Sequence, residues 1–79
     1  MTQIKIAQGN VNVICELIAE ISGNVKSPTG DTVPVKITTA KGNTSWFVVV
    51  EGGGQKRSMK FESEEKMNSM VESQTKFFV

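Results

Sequence analysis

The chain has 79 residues, the size of one small domain. Nine Lys and Arg against eight Asp and Glu give a net charge of +1, so no broad basic field drives non-specific binding to nucleic acid. A single cysteine, Cys15, and the absence of histidine exclude an internal disulfide and the common zinc sites. We therefore expect one domain over residues 1–79, with no metal and no cofactor.

The N-terminal segment MTQIKIAQGNVN lacks the charged and then apolar pattern of a secretory signal. The longest apolar run, WFVVV at residues 46–50, is far too short to cross a bilayer. We expect a cytoplasmic protein that does not engage a membrane.

After a short alternating stretch at residues 2–7, which predicts a strand, residues 11–22 are interpreted as a helix. Large aliphatic residues recur there at the helical spacing of three and four: Ile14, Leu17, Ile18 and Ile21. Asn10 or Asn12 can cap the start, and Gly23 suits the end. A strand remains the alternative, because apolar residues also alternate at the odd positions from Val11 to Ile21.

Three strands are predicted next. Residues 33–40 alternate, and because Pro34 cannot donate a ladder hydrogen bond, the strand either starts there or lies at a sheet edge. Residues 45–51 are apolar on both faces, which is typical of a central strand covered on both sides. Residues 55–62 again alternate. Because a strand follows the three glycines at 52–54, we interpret them as a hairpin turn and not as a phosphate-binding loop.

A second helix is predicted over residues 64–73. Ser63 caps it, Glu64 and Glu65 favour the positive end of its dipole, and three apolar residues form its stripe: Met67, Met70 and Val71. The tail TKFFV is either a last short strand or a segment packed on the sheet. The predicted fold class is α+β, a three-stranded antiparallel meander packed by two helices in the order (β)αβββα(β).

Over residues 11–73 this order resembles the double-stranded-RNA-binding domain. That family meets phosphate at a lysine-rich entry to its last helix. This chain has Glu62-Ser63-Glu64-Glu65 there, so the resemblance is one of topology and implies no site residue. In size and composition the chain is also similar to accessory proteins of phages and mobile elements, which implies an inhibitor or accessory factor.

Basic residues concentrate in the predicted sheet. Between residues 24 and 60, six basic residues stand against two acidic ones, a local charge of +4. If the lysines leave by one outer face, they form a patch with an aromatic side chain beside it, which suits a protein contact or base stacking. The candidate partner-binding residues are Lys36, Trp46, Phe47, Lys56, Arg57 and Lys60.

The leading hypothesis is a non-catalytic binding protein that acts through a protein–protein surface. The alternative is a nucleic-acid-binding module that uses the basic outer face. No histidine base and no G-x-S-x-G elbow are present, so we do not expect an enzyme. A homo-oligomer formed by sheet pairing is a further expectation, with residues 45–51 or the KFFV tail as the unpaired edge. Cys15 is interpreted as a thiol of the core.

Overall fold

The computed structural model describes residues 2–79. Its elements are five strands and one helix: β1 (Gln3–Gln8), β2 (Val11–Lys26), β3 (Thr32–Lys41), β4 (Trp46–Gly52), β5 (Gln55–Phe61) and α1 (Glu64–Thr75). The strands form one antiparallel sheet in the order β1-β2-β3-β4-β5. The sheet curls into a half-barrel, so β1 comes close to β5, and the Ser58 hydroxyl donates to the Ala7 carbonyl at 2.7 Å.

The predicted meander with two helices is therefore wrong. Residues 11–22, interpreted as a helix, belong to the long strand β2, and the order of five strands and one helix also removes the likeness to the double-stranded-RNA-binding domain. Gly9 has a φ of 63° and sits in the turn between Gln8 and Val11, so this segment returns along β1 as a hairpin. The aliphatic stripe that suggested a helix is not a buried face, because Ile14 is 60% exposed and Ile18 is 48% exposed.

A β-bulge in β2 explains why the apolar pattern of this segment was ambiguous. The pairing of β2 with β3 shifts between Leu17 and Ala19, so the alternation changes phase at Ile18. Before the bulge, Cys15 points into one core cluster. After it, Ile21 belongs to the other. Odd-numbered residues of one strand thus serve both faces of the curled sheet.

The two faces of the sheet carry separate core clusters. On the concave face, β1 folds over the sheet and the buried residues are Ile6, Cys15, Ala40, Phe47 and Val49. On the opposite face, α1 packs against the sheet, and the buried residues are Ile37, Val48 and Met67. Strand β4 contributes to both clusters, so the prediction of a central strand covered on both sides is confirmed. It lies between β3 and β5, and the expectation that residues 45–51 offer an unpaired edge is wrong.

Local turn chemistry agrees with the expected hairpin at the three glycines. Gly53 and Gly54 have φ of 59° and 77° and form a two-residue turn between Gly52 and Gln55. Pro34 lies within β3, which is a central strand and not an edge. The pairing of β3 with β4 ends at Val35 and Gly52, so the nitrogen of Pro34 has no ladder partner to lose.

Helix α1 begins as predicted. The Ser63 side chain accepts a hydrogen bond from the Lys66 amide at 3.2 Å, and Glu64 and Glu65 occupy the first turn. The chain then returns to the sheet, where Phe78 forms an isolated bridge with Val25. Within residues 2–79, no helix has the length and apolar character needed to cross a membrane.

Candidate functional site: the charged mouth of the half-barrel

Three of the predicted basic residues lie on one face, and the strand register explains why. Lys36 of β3 is opposite Glu51 of β4, which is opposite Lys56 of β5. Side chains in register point to the same side of a sheet, and residues four apart on one strand also share a face, so Lys60 joins them. This is the concave face, opposite α1.

Two glutamates interleave with these lysines. The Lys36 ammonium lies 3.5 Å from a carboxylate oxygen of Glu20, and the Lys56 ammonium lies 3.9 Å from one of Glu51. All four side chains are between about two-fifths and two-thirds exposed, so each pair contributes at most about 1 kcal/mol of stability. The face is therefore a set of alternating charges and not a uniform basic patch.

The charges surround a cavity of about 290 Å³ at the open end of the half-barrel. Its inner wall is mainly apolar and includes Ile4, Ile6 and Val49, while Thr38 and Ser58 add hydroxyl groups. Lys5, Lys36 and Lys56 stand against Glu20 and Glu51 around it, which leaves one net positive charge. We call this cavity, with these five charged residues, the charged mouth.

The wall between β1 and β5 is closed by a side chain and not by a strand ladder. Among residues 2–79, the strand pairing ends at β1 on one side and at β5 on the other. The bond from the Ser58 hydroxyl to the Ala7 carbonyl is the polar link between them. The charged mouth thus has a firm wall on the β3–β4 side and a weakly joined wall on the β1–β5 side.

The remaining predicted site residues lie elsewhere. Phe47 points to the concave face but is 3% exposed, inside the core cluster. Trp46 packs on the helix side, with the Lys41 ammonium 5.7 Å from its ring centroid. Arg57 also lies on the helix side, at the rim of a second, more apolar groove of about 480 Å³ between the sheet and α1. The charged mouth therefore contains lysines and carboxylates but no exposed aromatic ring.

Sequence reasoning missed Glu20 and Glu51 as members of this site. Glu20 lies in the segment of residues 11–22 that was interpreted as a helix, and Glu51 is the last residue of the predicted strand 45–51. Reading residues 11–22 as a strand would have placed Glu20 on the face opposite Ile21. That Lys36 lies beside Glu20 is a consequence of how β2 pairs with β3, and local sequence does not specify that pairing.

The acidic and thiol side chains of the described residues are the candidates for metal ligands and for a nucleophile. Among residues 2–79, no three acidic or thiol side chains gather in a metal-binding group. Burial raises the pKa of the Cys15 thiol, which keeps it protonated and unreactive at neutral pH. Its Sγ lies 3.9 Å from the Val13 carbonyl within the core, away from the cavity.

Comparison of the chain with protein families, with curated proteins and with solved structures finds no match.

Proposed function

We propose that this chain is a non-catalytic binding protein that holds a protein partner at the charged mouth. The supporting observation is the alternation of Glu20, Lys36, Glu51 and Lys56 around a cavity with an apolar wall. A polar rim around an apolar centre is the usual anatomy of a protein interface. The cavity is at the lower end of the size of small-molecule sites, about 300–1,000 Å³, so one large side chain of a partner fits it.

The same alternation disfavours the nucleic-acid alternative. Phosphate binding gains affinity from each lysine that releases a counterion. Here Lys36 and Lys56 already face carboxylates, and the net charge around the mouth is one. A protein surface with its own acidic and basic groups can pair with both signs, which favours orientation and specificity.

The test is capture of a partner from cells that naturally contain the protein. Capture by the unchanged protein is compared with capture by a variant in which one lysine of the charged mouth is replaced by glutamate. Lys56→Glu places a third negative charge beside Glu51 and should weaken capture by about tenfold or more, because like charges across an interface cost several kcal/mol. Lys66→Glu is the matched control, since Lys66 is an exposed lysine of α1 on the other side of the sheet. Thermal melts of both variants verify that they fold.

Cross-linking of the captured partner then locates the contact. Cross-links at the three lysines of the charged mouth, Lys5, Lys36 and Lys56, support the proposal. If the partner instead stays bound to Lys56→Glu and is lost with Lys66→Glu, the mouth is not the docking surface.

Fluorescence anisotropy with short duplex and single-stranded DNA and RNA separates the nucleic-acid alternative. We expect no binding at about 50 mM salt, where electrostatic contacts to phosphate are still strong. Micromolar binding with a steep dependence on salt would favour nucleic acid over a protein partner.

A further inference from the structure

On its side facing away from β3, strand β2 has a stretch of edge to which no described strand is paired. On the side facing away from β3, β1 pairs with residues 11–16, and the Leu17 amide extends this pairing to the Thr2 carbonyl at 2.8 Å. At the far end, the Val79 amide donates to the Asn24 carbonyl, also at 2.8 Å. In the part of the chain that the structure describes, no strand pairs with the same side of residues 18–23. We call residues 18–23 the open edge.

The open edge presents free backbone groups. Backbone groups of an antiparallel strand point alternately to its two sides. Since Asn24 directs its carbonyl away from β3, Ser22 and Glu20 direct their amides and carbonyls the same way. Ile18, Ala19, Glu20 and Ser22 are exposed, whereas the Phe78 ring lies against Gly23 at the far end of the edge.

The fold itself shows that this edge accepts a strand. The tail pairs antiparallel to β2 through Phe78 and Val25, and its next residue, Val79, lies against Asn24. A strand entering the open edge would continue the same line of pairing, with β1 at its other end. We infer that the open edge binds an extended segment of another protein, which adds antiparallel to β2 as an extra strand.

The side chains around the open edge define the chemistry of that segment. An exposed apolar residue flanks the edge at each end, Ile18 and Val79. Burying them against apolar side chains is favourable, so the segment carries apolar residues. Glu20 lies midway, with a half-exposed carboxylate 3.5 Å from the Lys36 ammonium. A basic residue of the added strand can share that carboxylate, since opposite charges across strands are favourable. The segment therefore alternates apolar residues with lysine or arginine. The open edge shares Glu20 with the charged mouth, whereas Ile18 belongs only to the edge and Lys56 only to the mouth.

A synthetic probe tests the inference without a known partner. The probe is a capped octapeptide in which valine alternates with lysine, titrated into ¹⁵N-labelled protein. We expect amide shifts concentrated in residues 18–23, with slower hydrogen exchange at Glu20 and Ser22. A peptide that alternates valine with glutamate should bind about two- to fivefold more weakly, the ratio that follows from one cross-strand charge pair.

Two matched pairs of variants locate the site. Ile18→Lys should weaken the probe by about fivefold or more, because a lysine on an edge opposes strand addition. Ile14→Lys changes a more exposed isoleucine of the same strand, at a position where β1 already pairs, and should leave binding within about twofold. Glu20→Lys should remove the preference for the lysine peptide, whereas Glu16→Lys should retain it.

Several results would overturn the inference. One is the absence of binding at about 1 mM peptide, the weakest affinity relevant to a specific contact. Others are shifts centred on β5 or on the groove beside α1, and equal losses for Ile14→Lys and Ile18→Lys. A dimer with protected Glu20 and Ser22 amides before any peptide is added would show that a second copy occupies the edge. Lys56→Glu should leave peptide binding unchanged, so failure here is distinguishable from failure of the proposed function.

Discussion

Met67 is the residue on which the attachment of α1 to the sheet depends. It is the buried residue of the helix, 2% exposed, and it packs with Ile37 and Val48, which are fully buried. Met67→Ala removes most of a side chain from a closed cluster, and such a change costs about 2–5 kcal/mol. A chain of 79 residues has a total stability of about 4–12 kcal/mol. The substitution therefore removes a large fraction of the free energy of unfolding.

Urea denaturation measures this loss with two probes. Fluorescence of Trp46 reports the cluster, because Trp46 packs against it, and circular dichroism reports the helix. The midpoint of thermal unfolding should fall by about 8 °C or more, since 1 kcal/mol corresponds to about 4–8 °C in a domain of this size. Met70→Ala is the control, because Met70 is only half-buried and should cost less, about 1 kcal/mol.

A loss below about 1 kcal/mol for Met67→Ala would contradict this reasoning, since surface-like substitutions fall in that range. So would equal losses for Met67→Ala and Met70→Ala. Either outcome would mean that α1 is held by its capped start and its partly buried neighbours and not by the Met67 side chain.

Two further predictions concern the concave face. Ser58→Ala removes the hydrogen bond to Ala7 and should cost about 1 kcal/mol, with faster amide exchange in β1, whereas Ser69→Ala on the exposed side of α1 should change neither. The second prediction concerns Cys15, whose pKa is raised by burial. Above about pH 8.5, the usual pKa of a free thiol, Cys15 loses its proton in the unfolded chain but keeps it in the folded state. The free energy of unfolding should therefore fall as pH rises above that value. Thermal melts between neutral pH and pH 10 should show a smaller fall in Cys15→Ala than in the unchanged protein. The same dependence on pH in both proteins would contradict this prediction.

Elements with strong local signals were predictable. The capped start of α1 follows from Ser63 and the two glutamates after it, because a side-chain oxygen and two negative charges satisfy the first turn directly. The β4–β5 hairpin follows from Gly53 and Gly54, whose positive φ angles other residues rarely adopt. In both cases the cause lies within a few residues of the effect, so no tertiary contact was needed.

The secondary structure of residues 11–22 was not predictable from the sequence of that segment. Its apolar residues fit a helix and a strand, each only in part. The bulge at residues 17–19 breaks the alternation that a regular strand would show. The choice is made by the turn at Gly9, which returns the chain along β1, and by β3, which pairs with the other side. The paired strands β1 and β3 lie outside the segment, and they stabilise β2 only when the whole sheet forms.

For the site, the sequence alone determined that Lys56 and Lys60 share a face, because side chains alternate along a strand. Lys36 lies on another strand, and the register put it on the same face. Tertiary structure decided the rest. The register placed Glu20 and Glu51 beside those lysines, and the curl of β1 over the sheet buried Phe47. Strand pairing joins residues far apart in the chain through backbone groups that all residues possess, and for that reason no local pattern records which side chains become neighbours.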